Sequence, residues 1–318
     1  MSFVKLNGIC RFLDAMPPLQ LTTQAIGGKS ADQAQTQIKS KGTVMNARNG
    51  DPKKINGYAP VNGLKMYYEM EGTGDPLVFI PPAFGFAGLE YFPALVESHT
   101  VLTVDLQGNG RTADIPERPL SIEQYAEDVV GLLKYLGISK ADFLGESYGG
   151  NAAAMIAIRY PEFVGRVVTC AATFGPPQIA LNPQTTHFDH PPDADFRNIQ
   201  FQRENYKKVA PDPNYWPRIF DKLGRIQWEG FSNEELGSIK APILILLGDS
   251  DFVRLEHSVE TVKRIPNAEL AVIPSASHFV LFSEQERVIP IVQHFLEKPE
   301  KSIPLATAET GYHPGETR

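Results

Sequence analysis

Cysteine is almost missing from this chain: 318 residues contain two, Cys10 and Cys170. Two cysteines cannot build a disulfide framework, and Cys170 lies in an apolar run that reads as core. Long apolar runs are missing too. The longest are about strand length, far short of the ~20 residues a membrane-crossing helix needs. Basic runs are absent, with 30 Lys and Arg against 37 Asp and Glu and a formal net charge of −7. Phosphate-backbone binding needs clustered cations, so no nucleic-acid partner is expected. Residues 1–28 are interrupted by Asp14, Pro17 and Pro18 and lack the continuous apolar centre of a secretory signal. The expected location is the cytoplasm, with no membrane partner. Metal-ligand clusters are scarce. His187-Phe188-Asp189-His190 stands without further ligands and reads as a polar loop, so no metal is expected.

The remainder has the balance of an ordinary globular protein, 42% hydrophobic and 21% charged. Residues 28–54 are rich in Gln, Lys, Asn and Ser with almost no large apolar side chains. Such a segment buries too little to offset its ordering entropy, so residues 1–54 read as a disordered arm and residues 299–318 as a flexible tail. Between them, strand and helix signals alternate. Strands are expected at 64–70, 77–81, 101–105, 141–145, 167–174, 242–247 and 270–274, and helices at 121–136, 149–160 and 283–296. Strands 167–174 and 242–247 are almost wholly apolar, as strands covered on both faces of a parallel sheet are. The fold class is therefore α/β, a mostly parallel sheet flanked by helices. Residues 175–240 break the alternation with Pro-rich loops and short helices, and read as a lid inserted over the strand ends.

The motif that carries chemistry is Gly145-Glu146-Ser147-Tyr148-Gly149, between a strand and a small-residue helix. A serine on such a sharp turn is presented above the sheet, and glycines two positions either side let strand and helix approach. Its hydroxyl needs a base, and the base an orienting acid. After the next-to-last strand comes Gly248-Asp249-Ser250-Asp251, and after the last strand Ser275-Ala276-Ser277-His278. His278 is the candidate base. Asp251, three positions beyond the strand-closing glycine, is the better placed acid, and Asp249 is the alternative. A tetrahedral oxyanion needs two backbone N–H donors. Tyr148 offers one. The loop Pro81-Pro82-Ala83-Phe84-Gly85 offers the other, and because proline has no N–H, Ala83 is the first candidate and Phe84 the second. Phe84, Trp216 and Trp228 are the candidate substrate-binding residues, Trp216 and Trp228 among the aromatic side chains of the lid.

With these residues in view, the sequence resembles the α/β-hydrolase superfamily over residues 55–298. Asp105-Leu106-Gln107-Gly108-Asn109-Gly110-Arg111-Thr112 is similar to that family's strand-end turn, with Gln107 in place of an arginine. Pro81-Pro82 stands where His-Gly is common. The resemblance implies a serine hydrolase acting through an acyl-enzyme, without a cofactor, on a small-molecule ester. Members with an aspartate nucleophile are set aside by Ser147. Rival activities on the same triad are aminopeptidase and carbon–carbon or enol-lactone hydrolysis, and a non-catalytic ligand receptor is the rival from another class.

Overall fold

The computed structural model describes residues 54–183 and 197–298; the expected N-terminal arm, apart from Lys54, and the C-terminal tail lie outside the described residues. Eight strands form one sheet: β1 Ile55–Val61, β2 Leu64–Glu71, β3 Pro76–Ile80, β4 Thr100–Val104, β5 Ala141–Glu146, β6 Val164–Cys170, β7 Ile243–Gly248 and β8 Ala268–Ile273. Their order is β1-β2-β4-β3-β5-β6-β7-β8. The β1–β2 and β2–β4 pairs are antiparallel and every later pair is parallel. The helices are α1 Pro93–Val96, α2 Ile122–Leu136, α3 Tyr148–Arg159, α4 Pro177–Ala180, α5 Arg197–Val209, α6 Trp216–Leu223, α7 Asn233–Ser238, α8 Leu255–Val262, α9 Val280–Ser283 and α10 Gln285–Leu296.

Local chemistry explains the boundaries near the site. Ser121 caps α2 by accepting the Gln124 amide, and Gly137 ends it in the left-handed region at φ 72°. β1 escapes the apolar-run criterion because Pro60 interrupts it; as an edge strand it tolerates a residue without an N–H. β7 is buried along its whole length, and β6 is buried over its last four residues. Apolar side chains on the two faces of the sheet pack into separate clusters, one beneath α2 and α3 and one beneath α10.

β6 ends at Cys170, four residues before the apolar run suggests. Ala171 takes φ 53°, which turns the chain out of the sheet while Ala171, Ala172 and Phe174 stay buried. Apolarity thus marks burial here rather than strand. The expected last helix, 283–296, is α10, and a single further turn, α9, precedes it across Glu284. His257, on α8, is 7% exposed; α8 turns that face inward, and the Nε2 of His257 accepts the Phe174 amide at 3.1 Å. In the 175–240 insertion, residues 184–196, including His187 and His190, lie outside the described residues. α6 packs Trp216, Ile219 and Leu223 inward at helical spacing. Asp114, near the end of the β4 turn, accepts from Lys222 Nζ at 2.8 and 2.9 Å and from the Tyr215 hydroxyl at 2.8 Å, tying α6 to the sheet.

Candidate active site

Ser147 occupies the single residue between β5 and α3 with φ 53° and ψ −120°. A side chain with a β-carbon enters that region at a cost of about 1–3 kcal/mol, sustained only where the surroundings enforce it. They do: its N–H donates to the Cys170 carbonyl at 2.8 Å and its carbonyl accepts from Asn151 N–H at 3.0 Å. The two elbow glycines are required by contact. A β-carbon on Gly145 would overlap the Gly149 carbonyl, and one on Gly149 would overlap the Ile80 carbonyl.

The loops after β7 and β8 converge on this serine. His278 Nε2 lies 3.1 Å from Ser147 Oγ, and His278 Nδ1 lies 2.9 Å from Asp251 Oδ1. With Nδ1 donating to the carboxylate, Nε2 presents its lone pair to the serine hydroxyl. The Phe252 ring stacks on the imidazole, centroids 3.8 Å apart, so ring orientation is fixed by packing and by hydrogen bond together. Asp251 Oδ1 also accepts the Val253 amide at 2.9 Å. Its side chain is 0% exposed. Asp249, the other candidate acid, faces solvent and bonds with Ser250 Oγ. The Ser275 amide beside it holds its carboxyl below the usual range. The structure therefore brings Asp251, and not Asp249, to the histidine.

The expected oxyanion donors sit beside the elbow. Tyr148 opens α3, so its N–H has no acceptor one turn back. β3 pairs with β5 through Ile80 and Gly145, which sets the loop after β3 next to Ser147. There Ala83 N–H has no hydrogen bond among the described residues. Phe84 N–H is taken, donating to Asn109 Oδ1 at 3.1 Å, which removes Phe84 as a free donor. A cavity opens above Ser147, lined by Tyr148, Asn151, Thr173, Leu181, Trp228 and Phe252 among others. Trp228 is part of this lining. Phe84 and Trp216 are not part of this lining. Trp216 is 2% exposed and packs with Phe84, Tyr206 and Phe220 at 5.0–5.6 Å between ring centroids. Among the described residues, no group of three or more His, Cys, Asp or Glu could hold a metal ion, and no helix is long and apolar enough to cross a membrane.

The profile described as "Alpha/beta hydrolase family" matches residues 77–291. The chain belongs to the alpha/beta hydrolase family. This hydrolase is 27% identical over 289 residues to a 2-hydroxy-6-oxononadienedioate/2-hydroxy-6-oxononatrienedioate hydrolase of Burkholderia vietnamiensis, covering 80% of this chain and 99% of that one. It is 26% identical to a poly(3-hydroxyalkanoate) depolymerase of Ectopseudomonas oleovorans over 65% of this chain and 78% of the other. Its fold is similar to that of the 2-hydroxy-6-oxo-6-phenylhexa-2,4-dienoate hydrolase of a Rhodococcus species, with a TM-score of 0.65, 19% identity, and coverage of 78% and 100% of the two chains.

Some residues of the hydrolase site carry no sequence signal of their own. Ala171, Leu181 and Phe252 reach the cavity only because the segments after β6 and β7 meet there. Asn151 and Trp228 Nε1 both donate to the Thr173 carbonyl, so their polar ends are spent on fixing the cavity wall. Glu146, just before the nucleophile, is fully buried, and neither carboxyl oxygen has a hydrogen-bond partner among the described residues. Burial pushes its carboxyl well up, with the nearby Asp251 charge adding to the shift and the Leu281 amide opposing it. Burial and the Glu146 neighbour also raise the Cys170 thiol, which stays protonated and unreactive.

Proposed function

We propose that this protein cleaves carboxylic esters of small, largely apolar substrates, lactones included, through an acyl-enzyme on Ser147. The observation that carries the proposal is the Ser147–His278–Asp251 chain of hydrogen bonds beneath a cavity lined, among the described residues, by no lysine or arginine. His278 accepts the Ser147 proton as Oγ adds to the carbonyl carbon. The amides of Ala83 and Tyr148 receive the resulting oxyanion. Protonated His278 then donates to the leaving oxygen, and Asp251 stabilises the imidazolium while it exists. In the second half, water adds to the acyl carbon, gives its proton to His278, and Ser147 departs with the acid released.

A second reading is hydrolysis of a carbon–carbon bond, favoured by the name of the relative at 27% identity. A dienedioate carries two carboxylates, and a buried carboxylate needs a cationic or multiple N–H partner. The described residues that line the cavity include no lysine or arginine. This weighs toward an uncharged substrate. The test is a comparison of kcat/KM for p-nitrophenyl esters and simple lactones against a 2-hydroxy-6-oxodienoate. Esters turned over faster, with Ser147→Ala losing on the order of 10⁴-fold or more, support the reading. A preference for the dienoate moves the function to the second reading, and a fully active Ser147→Ala ends both.

A further inference from the structure

We infer that Asn109 is a positioning residue for the oxyanion hole, holding the loop after β3 in the form that leaves the Ala83 amide open toward Ser147. The inference rests on the assignment of Ala83 as an oxyanion donor. Residues 82–85 form a closed turn, with Gly85 N–H donating to the Pro82 carbonyl at 2.9 Å. The third residue of that turn, Phe84, has φ 62°. Turns of that form favour glycine or asparagine there, because a β-carbon makes the left-handed region unfavourable. Nothing in the turn itself prevents the Ala83–Phe84 peptide from rotating to relieve Phe84. Asn109 opposes this relaxation: its Oδ1 accepts the N–H of that same peptide at 3.1 Å.

Asn109 can do so because it is held from every side. It is 2% exposed, its Nδ2 donates to the Gln107 carbonyl at 3.1 Å, and its own N–H donates to the Leu106 carbonyl at 2.9 Å. The turn it belongs to grips the same loop a second time, since Asp105 Oδ1 accepts the Ala87 amide. Asp105 Oδ2 in turn accepts the Arg111 amide at 2.6 Å. The end of β4 thus takes the amides of Phe84 and Ala87, and the prolines before Ala83 have none to offer. Ala83 N–H is left without a partner among the described residues. Capture of the Phe84 amide fixes the peptide on the C-terminal side of Ala83 and with it the form of the turn, a preorganisation whose loss is felt most in the transition state.

The experiment compares wild type, Asn109→Ala and Asn109→Asp on one ester substrate, with a boronate as tetrahedral-adduct analogue and the product acid as ground-state ligand. Asn109→Ala is expected to lower kcat about 10- to 100-fold, less than outright loss of an oxyanion donor, with KM changed little. Boronate affinity should fall in parallel and product-acid affinity should stay. Asn109→Asp keeps the accepting oxygen, so its kcat and boronate affinity should lie well above those of Asn109→Ala. A general structural defect would instead weaken both ligands together. Wild-type kcat and boronate affinity in Asn109→Ala overturn the inference. If that variant fails to fold, Asn109→Asp decides: retained boronate binding supports the role, and a selective hundredfold loss of boronate binding overturns it. Ser147→Ala in parallel separates the two levels. Turnover surviving that change fails the nucleophile assignment, whereas an essential Ser147 with an indifferent Asn109 fails only this one.

Discussion

Asp249 and Asp251 stand two positions apart in one short loop, and their surroundings make them different acids. Asp251 is buried against the imidazole, with one oxygen shared between His278 Nδ1 and the Val253 amide. Its other oxygen has no partner among the described residues, so its orienting work is done through Oδ1. Asp249 faces water, bonded with Ser250 Oγ and held by the Ser275 amide of the loop after β8. Asp251→Asn would turn an amide toward Nδ1, favouring the wrong tautomer and removing the charge that balances the imidazolium. Its kcat is expected to fall on the order of 10³–10⁴-fold, and that of Asp249→Asn to stay near wild type. Steady-state kinetics on the two folded variants check this, and the reverse ranking would move the acid to Asp249.

At the scale of elements, the two tryptophans of the insertion separate into different tasks. Trp216 begins α6 on its inward stripe, beneath Phe84 and Phe220. Trp228 lies in the loop before α7, packs edge-on against Phe231, and lines the cavity above Ser147. Trp216→Ala should therefore cost about 3–5 kcal/mol of stability, the usual price of a large aromatic core truncation. It should leave the ratio of long-chain to short-chain ester hydrolysis close to that of wild type. Trp228→Ala should shift that ratio toward longer acyl chains, each newly accommodated CH₂ adding about 0.8 kcal/mol of binding. Thermal melts and a p-nitrophenyl ester series measure the two effects. An unchanged chain-length profile in Trp228→Ala would place selectivity elsewhere in the cavity.

For the whole molecule, His257 links acid stability to the site. Burial, with Arg264 and Arg254 nearby, lowers its pKa from 6.5 to about 4, and its neutral Nε2 holds the Phe174 amide where the chain leaves β6. Between those two pH values the unfolded chain binds a proton that the folded chain does not. The His257 contribution is therefore complete above pH 6.5 and is lost as pH falls toward 4, up to about 3 kcal/mol. Asp105 acts with the opposite sign, since burial raises it to about 6 and its ionisation counts against the fold as pH rises. His257→Gln keeps an acceptor for Phe174 and cannot titrate. Its denaturation midpoint should vary with pH by about one proton less than that of wild type between pH 6.5 and 4; identical slopes would show that His257 does not titrate on unfolding. The alternation of apolar runs and breakers, the glycines around Ser147, and the placing of Asp251 and His278 after late strands were all legible in the chain, because each is a local demand of period, turn or order. What tertiary structure alone decided is different in kind. It buried Asp251 against the imidazole while leaving Asp249 in water, turned His257 inward, gave the Phe84 amide to Asn109, and set Trp216 in the core and Trp228 at the cavity. Each of those depends on which surface an element meets and on which groups exclude water from it, and those are facts of packing between residues far apart in sequence.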